Sequence, residues 1–247
     1  MGSFLDSITT GLTPKPRRTM IYGVPAVGKS SFAAMADSPI FIQTEEGLGD
    51  IDCAKFPLAK SYEEVLGALE GLYSMSHEYK TVVIDSLDWL ERLIHSHVCL
   101  KKNVASIEDI GYGKGYLFAL TYWKEILDGL SALRDDKNMG VLLIAHSQIV
   151  RFEAPDQEAY DRYSPRLNKA ANAMIQEWCD EVLFANYQIV TKVADDGKRK
   201  RTVPVGKGER VLHTTERPAF VAKNRLNMPE EIELDYSVYS SFFKKGK

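Results

Sequence analysis

The chain reads Gly23-Val24-Pro25-Ala26-Val27-Gly28-Lys29-Ser30 near its N-terminus, which matches the pattern G-x-x-x-x-G-K-[ST]. An apolar run precedes this stretch and a helix-forming run that begins at Ser31 follows it, so the pattern predicts a strand, a tight loop and a helix. Glycines let such a loop turn sharply and direct several backbone N–H groups at one phosphate. We therefore predict a nucleotide site formed by residues 23–31, in which Lys29 reaches the β- and γ-phosphates of ATP and the Ser30 hydroxyl binds Mg²⁺.

Length and composition indicate one sizeable globular domain. The chain has 247 residues, 45% of them hydrophobic, and a formal net charge of −3, so any surface that binds nucleic acid has to be local. Its three cysteines are far apart, which predicts neither a disulfide framework nor a zinc site. The sequence has no apolar run of about 18 residues and no secretory signal pattern, so we predict a cytoplasmic protein without a membrane partner.

The hydrophobic pattern predicts an α/β fold. Short apolar runs typical of buried strands alternate with amphipathic helix patterns through the first two thirds of the chain, at 19–22, 40–42, 81–84 and 141–144. This alternation predicts a mostly parallel central sheet with helices on both faces. Beyond residue 180 the pattern favours short strands at 182–184, 188–190, 202–213 and 219–222, which predict an antiparallel C-terminal hairpin extension. We divide the chain into a lead-in (1–18), an ATPase core (19–235) and a C-terminal tail (236–247).

A second nucleotide signature follows at Thr81-Val82-Val83-Ile84-Asp85-Ser86. A strand of this kind carries its terminal carboxylate to the C-terminal edge of a parallel sheet, where ligands bind. We predict that Asp85 holds Mg²⁺ together with Ser30, by way of water.

Two further strand ends carry polar residues suited to ATP hydrolysis. Glu45 and Glu46 follow the strand at 40–42, and we favour Glu45 as the carboxylate that activates the attacking water, with Glu46 as the alternative. His146 and Gln148 end the strand at 141–144, and we predict that one of them senses the γ-phosphate. A packed histidine at a strand end is the alternative interpretation of His146.

Taken together, these motifs and their order resemble those of the RecA-like ATPases. The resemblance extends to Lys223-Asn224-Arg225, since RecA-fold recombinases and ring helicases often carry a Lys-x-Arg pair that reaches ATP held by the neighbouring subunit. Over about residues 17–235 the chain is most similar to phage-encoded AAA-type ATP-binding proteins that act as minimal, single-strand-annealing recombinases. The resemblance implies a RecA-like P-loop NTPase fold and a homo-oligomer with nucleotide at its subunit interfaces, completed by Lys223 and Arg225.

Basic residues in two segments suggest contact with single-stranded DNA. Residues 192–210 contain seven basic and three acidic residues, and a turn at Asp195-Asp196-Gly197 would place the basic run at a hairpin tip. The segment 151–169, which the resemblance implies is a loop that faces DNA, mixes arginines with aromatic residues. A solubilising surface is the alternative in both cases. The candidate DNA contacts are Arg151, Arg162, Arg166, Lys169, Lys198, Arg199, Lys200 and Arg201.

The sequence therefore predicts a DNA-stimulated ATPase, with ATP and Mg²⁺ as cofactors, that acts in phage DNA recombination by annealing or pairing single strands. A single-strand-binding protein is a further expected partner. Two alternatives remain open: a ring helicase or helicase-loading ATPase, and a nucleotide-dependent switch or kinase without a DNA role.

Overall fold

The computed structural model describes residues 4–11, 13–155, 158–195 and 200–243, and for Phe4, Asp6, 189–195 and 200–207 it describes the backbone only. The described strands are β1 (Arg18–Gly23), β2 (Pro39–Gln43), β3 (Ala54–Lys55), β4 (Thr81–Asp85), β5 (Gly140–Phe152), β6 (Tyr160–Pro165), β7 (Glu181–Asp195), β8 (Lys200–His213) and β9 (Glu231–Glu233). The α-helices are α1 (Lys29–Ala34), α2 (Tyr62–Ser74), α3 (Leu87–Lys102), α4 (Lys114–Asp136), α5 (Lys169–Trp178) and α6 (Tyr236–Ser240). Two 3₁₀ helices span Phe4–Ser7 and Ile107–Ile110.

The strands form one twisted sheet in the order β3-β2-β4-β5-β1-β7-β8-β9, and β6 pairs with β5 off this path. Pairing is parallel from β3 to β7 and antiparallel between β7 and β8 and between β8 and β9. The parallel strands are short and almost fully apolar because helices cover both of their faces. The predicted fold class, with its parallel sheet and C-terminal antiparallel hairpin, is confirmed.

Alternation along β1 divides the interior into two cores. Met20 and Tyr22 face the larger core, which contains apolar residues of α2, α3, α4 and α5, while Ile21 faces the smaller core, which contains residues of α1 and α6. The Trp123 side chain of α4 is fully buried in the larger core. Full burial of one apolar side chain stabilises the fold by about 1.5–3 kcal/mol. The two cores therefore fix the central strands, whose C-terminal ends carry the site.

Three predicted elements differ from the structure. The segment predicted as a loop at 151–169 contains strand, because β5 continues to Phe152 and pairs in an antiparallel hairpin with β6 (Tyr160–Pro165). The two strands predicted at 182–190 are one strand, β7, with a register shift between Tyr187 and Ile189 where polar residues interrupt the apolar pattern. The strand predicted at 219–222 is wrong: the segment makes only isolated bridges, and the buried hydroxyl of Tyr22 bonds both backbone groups of Val221 in addition to the backbone bonds with Tyr163.

The C-terminal segment packs on the core. Tyr239 of α6 is fully buried, and its hydroxyl lies 2.5 Å from Thr19 Oγ1. The segment predicted as a tail from residue 236 therefore begins as part of the folded unit. Within the described ranges, no helix is long and apolar enough to span a membrane.

Candidate nucleotide site

The phosphate-loop pattern occupies the turn between β1 and α1. Gly23 ends β1 directly beside Ala185 of β7, and a Cβ atom at Gly23 would lie 2.1 Å from the Ala185 carbonyl oxygen. Gly28 has a φ of 105° and Ala26 a φ of 59°, so the loop passes twice through the left-handed region. Turns of this kind gather backbone N–H groups into a concave anion site. The glycines are thus required by close packing at one end of the loop and by its backbone conformation at the other.

Lys29 lies at the start of α1 with its side chain turned back over the loop. Its Nζ atom donates to the carbonyl oxygens of Val24 at 3.0 Å and Gly23 at 3.2 Å, and the residue is only 6% exposed. Burial lowers the pKa of Lys29, and the nearby carboxylates of Asp85 and other acids oppose that change. A buried ammonium group satisfied only by carbonyl oxygens fits a position that faces phosphate charge.

Ser30 and Asp85 form the contact between the two sequence signatures. The Ser30 hydroxyl donates to Asp85 Oδ2 at 2.6 Å, which brings the start of α1 to the end of β4. Burial raises the pKa of Asp85, although the Ser30 hydrogen bond opposes the rise. Hydroxyl and carboxylate oxygens are the ligands that Mg²⁺ prefers, and Mg²⁺ in phosphate sites keeps few protein ligands. This donor set fits Mg²⁺ bound together with the phosphates of a nucleotide.

Glu45 and His146 complete the wall opposite the loop. Glu45 Oε1 lies 3.8 Å from His146 Nδ1, so the segment that follows β2 comes close to the middle of β5 here. Glu46 lines the same cavity. Gln148 does not: its amide donates to the Pro165 carbonyl oxygen at 3.0 Å and thus holds the β5–β6 hairpin.

A cavity of about 310 Å³ lies between these groups and has the size of a small ligand site. Its lining residues are Ala26, Gly28, Lys29, Ser30, Ser31, Glu45, Glu46, Gly47, Ile51, Asp85, Ile144 and His146. A larger open cavity of about 530 Å³ lies around Thr214 and Asn224, and its only charged lining residue, Glu216, is paired with Arg162. Of these two cavities, which are lined by described residues, only the smaller one combines a cation, an anion-binding turn and oxygen atoms suited to bind a metal ion.

Several site neighbours were missed by sequence reasoning. Asp88, in the first turn of α3, is 4% exposed and bonds both His146 and Arg166. Burial acts to raise the pKa of Asp88, but these hydrogen bonds outweigh it and hold the pKa well below its ordinary range. Tyr187 and Arg210, paired across β7 and β8, contact the outer side of the phosphate loop at the carbonyls of Ala26 and Val27. In the sequence, Asp88 could have been found from its position three residues after Asp85. The contacts of Tyr187 and Arg210 join distant segments, so the sequence carries no pattern that predicts them.

Lys223 and Arg225 lie at the opposite edge of the sheet. Lys223 Nζ donates to carbonyl oxygens at the end of α5, the closest being Cys179 at 2.6 Å, so it caps that helix. Arg225 pairs with Asp180 at 3.2 Å, and its side chain is 54% exposed. Asp180 precedes β7, whereas the phosphate loop follows β1, the parallel neighbour of β7, so Arg225 lies about 15 Å or more from its own loop.

The candidate DNA residues fall into different environments. Arg162 is buried and paired with Glu216 at 2.7 Å, so it presents no free cation, which contradicts its place among the DNA contacts. Arg151 is exposed and pairs with Asp161, and Lys169 is exposed in the first turn of α5. Lys198 and Arg199 lie outside the described residues, and Lys200 and Arg201 belong to β8, for which only the backbone is described at these positions.

The chain is similar to known proteins in family and in fold. A protein family described as AAA domain matches residues 15–226. No curated protein matches the chain significantly. Among solved structures, the fold is similar to that of a protein titled the RadB recombinase, with 14% sequence identity, a TM-score of 0.44 and coverage of 88% of this chain and 90% of that chain.

Proposed function

Because the chain belongs to the family of AAA-domain proteins, we propose that it binds and hydrolyses ATP and couples this activity to the annealing or pairing of single-stranded DNA, in phage recombination. The observation that carries the ATPase part is the 2.6 Å hydrogen bond between Ser30 and Asp85 within a cavity that also contains Lys29 and Glu45. This combination brings metal-type oxygens, a phosphate-seeking cation and a candidate base together at one sheet edge.

Each residue has a distinct chemical task in this proposal. Lys29 pairs with phosphate charge, and Ser30 and Asp85 would hold Mg²⁺. Bound Mg²⁺-ATP supplies the transferable phosphoryl group and neutralises charge as it develops there. Glu45 accepts a proton from a water molecule in the cavity, whose wall it forms together with His146. His146, rather than Gln148, is our candidate for the γ-phosphate sensor, because only His146 lines the cavity.

DNA binding is supported by the exposed cations Arg151 and Lys169 and by the basic run at 198–201. The motif order and the Lys-Asn-Arg run support recombination as the context. We also propose the nucleotide interface of a homo-oligomer, in which Arg225 rather than Lys223 serves the neighbouring subunit. The exposed position of Arg225, far from its own loop, supports this choice, whereas Lys223 is committed to the end of α5.

The test is the rate of ATP hydrolysis with and without single-stranded DNA, together with annealing of complementary labelled strands. We expect DNA to raise the ATPase rate and the protein to accelerate annealing. An ATPase rate that does not change when DNA is added would favour the switch or kinase alternative. Separation of DNA strands driven by ATP hydrolysis would favour the helicase alternative. Absence of ATP binding by the folded protein would refute the proposal altogether.

Mixing two inactive variants tests the subunit interface. A Lys29→Ala subunit keeps Arg225 but lacks a working site, and an Arg225→Ala subunit keeps the site but lacks the cation. If Arg225 acts across the interface, mixtures will regain part of the ATPase activity, because some interfaces join one intact site to one intact arginine. Mixtures that stay inactive although their subunits exchange would exclude this role.

A further inference from the structure

Tyr187 and Arg210 form an exposed pair beside the phosphate loop that the proposed ATP chemistry does not use. They lie directly opposite each other on β7 and β8. The Tyr187 hydroxyl donates to the Ala26 carbonyl oxygen at 3.3 Å, and the Arg210 guanidinium group lies 3.5 Å from the carbonyl oxygen of Val27. Among the described residues, no carboxylate pairs with that guanidinium group. Both side chains thus touch the loop and still present surface to a ligand.

The pair continues the face of the sheet on which α1 packs. The preceding pair along the same two strands, Ala185 and Leu212, belongs to the smaller core together with residues of α1. Residues two apart on a strand share a face, so Tyr187 and Arg210 extend this face past the core to the level of the loop. A Cβ atom at Gly28 would lie 2.6 Å from Arg210 Nη1, which shows how closely the guanidinium group approaches the loop.

The strand order gives the direction in which a nucleotide in the cavity extends. Glu45 follows β2, Asp85 ends β4 and His146 lies in β5, and these three strands are all on one side of β1. Strands β7 and β8 are on the other side of β1. The proposed function places the γ-phosphate among those three residues. Since the nucleoside is at the opposite end of the triphosphate, it leaves the loop on the side of β7 and β8.

We propose that Tyr187 and Arg210 form the binding surface for the nucleobase, which stacks on the phenol ring and on the plane of the guanidinium group. This inference rests on the proposed function, since it requires a nucleoside triphosphate in the cavity. Aromatic rings and guanidinium planes both stack on the flat faces of bases. The Tyr187 ring is 38% exposed beside the loop, so a base can cover it without any rearrangement of the core.

Stacking also determines the class of substrate. Every nucleobase has a π-face, whereas discrimination between bases requires hydrogen bonds to their edges. A surface formed by a phenol ring and a guanidinium plane contacts the face and leaves the edge unread. The site therefore takes nucleoside triphosphates as a class, and the larger purine bases bind more tightly than pyrimidines because they cover more of the two side chains.

The experiment measures steady-state hydrolysis of ATP, GTP, CTP and UTP, with inorganic tripolyphosphate as a competitive inhibitor that lacks a base. For the wild-type protein we expect KM values that differ by less than about 10-fold, with the lower values for purines. Tyr187→Ala should raise the KM for ATP by about 5–30-fold, as the loss of one base–aromatic stack predicts, and leave kcat and the inhibition constant of tripolyphosphate unchanged. Arg210→Gln should shift the same constants in the same direction.

Two further variants separate stacking from support of the loop. Tyr187→Phe keeps the ring and loses the hydroxyl bond to Ala26, so it should retain the wild-type KM. Tyr73→Ala is the matched control, since Tyr73 is an exposed tyrosine of α2, which packs on the other face of the sheet, and it should change none of these constants.

Three results would overturn the inference while leaving the proposed function intact. They are an unchanged KM for ATP in Tyr187→Ala, an equal loss of tripolyphosphate affinity in that variant, and a wild-type preference for one base of more than about 100-fold, which would indicate that the edge is read. A folded wild-type protein that neither binds nor hydrolyses any of the four nucleotides would instead overturn the proposed function.

Discussion

Replacement of Glu91 by glutamine should remove a pH dependence from the stability of the fold. Glu91 lies on α3, where both of its carboxylate oxygens are 3.0 Å from the backbone nitrogen of Asn168, the residue that caps α5. Burial raises the pKa of Glu91 from its ordinary value of 4.5 to about 7, against the opposing effect of the Asn168 hydrogen bond. The native state therefore binds this proton more tightly than the unfolded chain, so its contribution to stability is complete below about pH 4.5 and is lost as the pH rises through about 7.

The magnitude follows from the two pKa values. Between pH 5 and pH 8 the wild-type protein should lose about 2.5 kcal/mol of unfolding free energy that Glu91→Gln does not lose. Urea unfolding at several pH values, followed by circular dichroism, measures this difference. Glu70→Gln is the matched control for the exchange of a carboxyl for an amide, since Glu70 is exposed on α2. A pH-independent difference between Glu91→Gln and wild type would show that the Glu91 carboxyl is not held in a desolvating site, and the reasoning would fail.

Three other outcomes are expected. Lys29→Ala should abolish ATP binding measured by calorimetry, because it removes the buried cation of the phosphate loop, and near-normal affinity in a folded variant would reject that role. Glu45→Gln should bind ATP but hydrolyse it at least about 100-fold more slowly in a steady-state assay, since an amide cannot accept the proton of water; the same loss in Glu46→Gln alone would reassign the base. Gly23→Ala should lower the unfolding free energy by about 3 kcal/mol or more, because its Cβ would overlap the backbone of β7, whereas Gly67→Ala, with open space around it, should not destabilise the fold in the same denaturant titration.

The sequence predicts this site best where a chemical role depends on a contiguous pattern. Lys29 and Ser30 lie within such a pattern, and Asp85 ends an apolar strand, so their proximity follows from the parallel sheet. The partnership of Asp88 with Arg166 could not be predicted in this way, because it depends on how the β5–β6 hairpin folds back over α3. A single sequence does not predict such long-range pairing, because a loop and an exposed hairpin can have the same composition of charged and aromatic residues.

Burial was equally hard to predict for individual charged residues. Arg151 and Arg162 carry the same composition-based signal. The structure nevertheless buries Arg162 of β6, which pairs with the exposed Glu216, and leaves Arg151 of β5 at the surface. Successive side chains of a strand point to opposite faces, so the strand position of each arginine decides whether it is buried or exposed. This rule could not be applied from the sequence, because the segment was not predicted to be a strand. The strand predicted at 219–222 failed for a different reason, since its apolar residues are buried beside Tyr163 through isolated bridges rather than along a continuous ladder.

The continuity of β5 gives the molecule a mechanical property. The strand runs without interruption from Gly140 in the middle of the sheet, past His146 at the cavity, to Phe152 near the tip of the hairpin with β6. From His146 to Phe152 the strand extends about 20 Å, so a tilt of about 10° at the cavity would move the tip by about 3.5 Å. A change of strand direction too small to alter the core would thus produce a larger displacement at the surface end of β5.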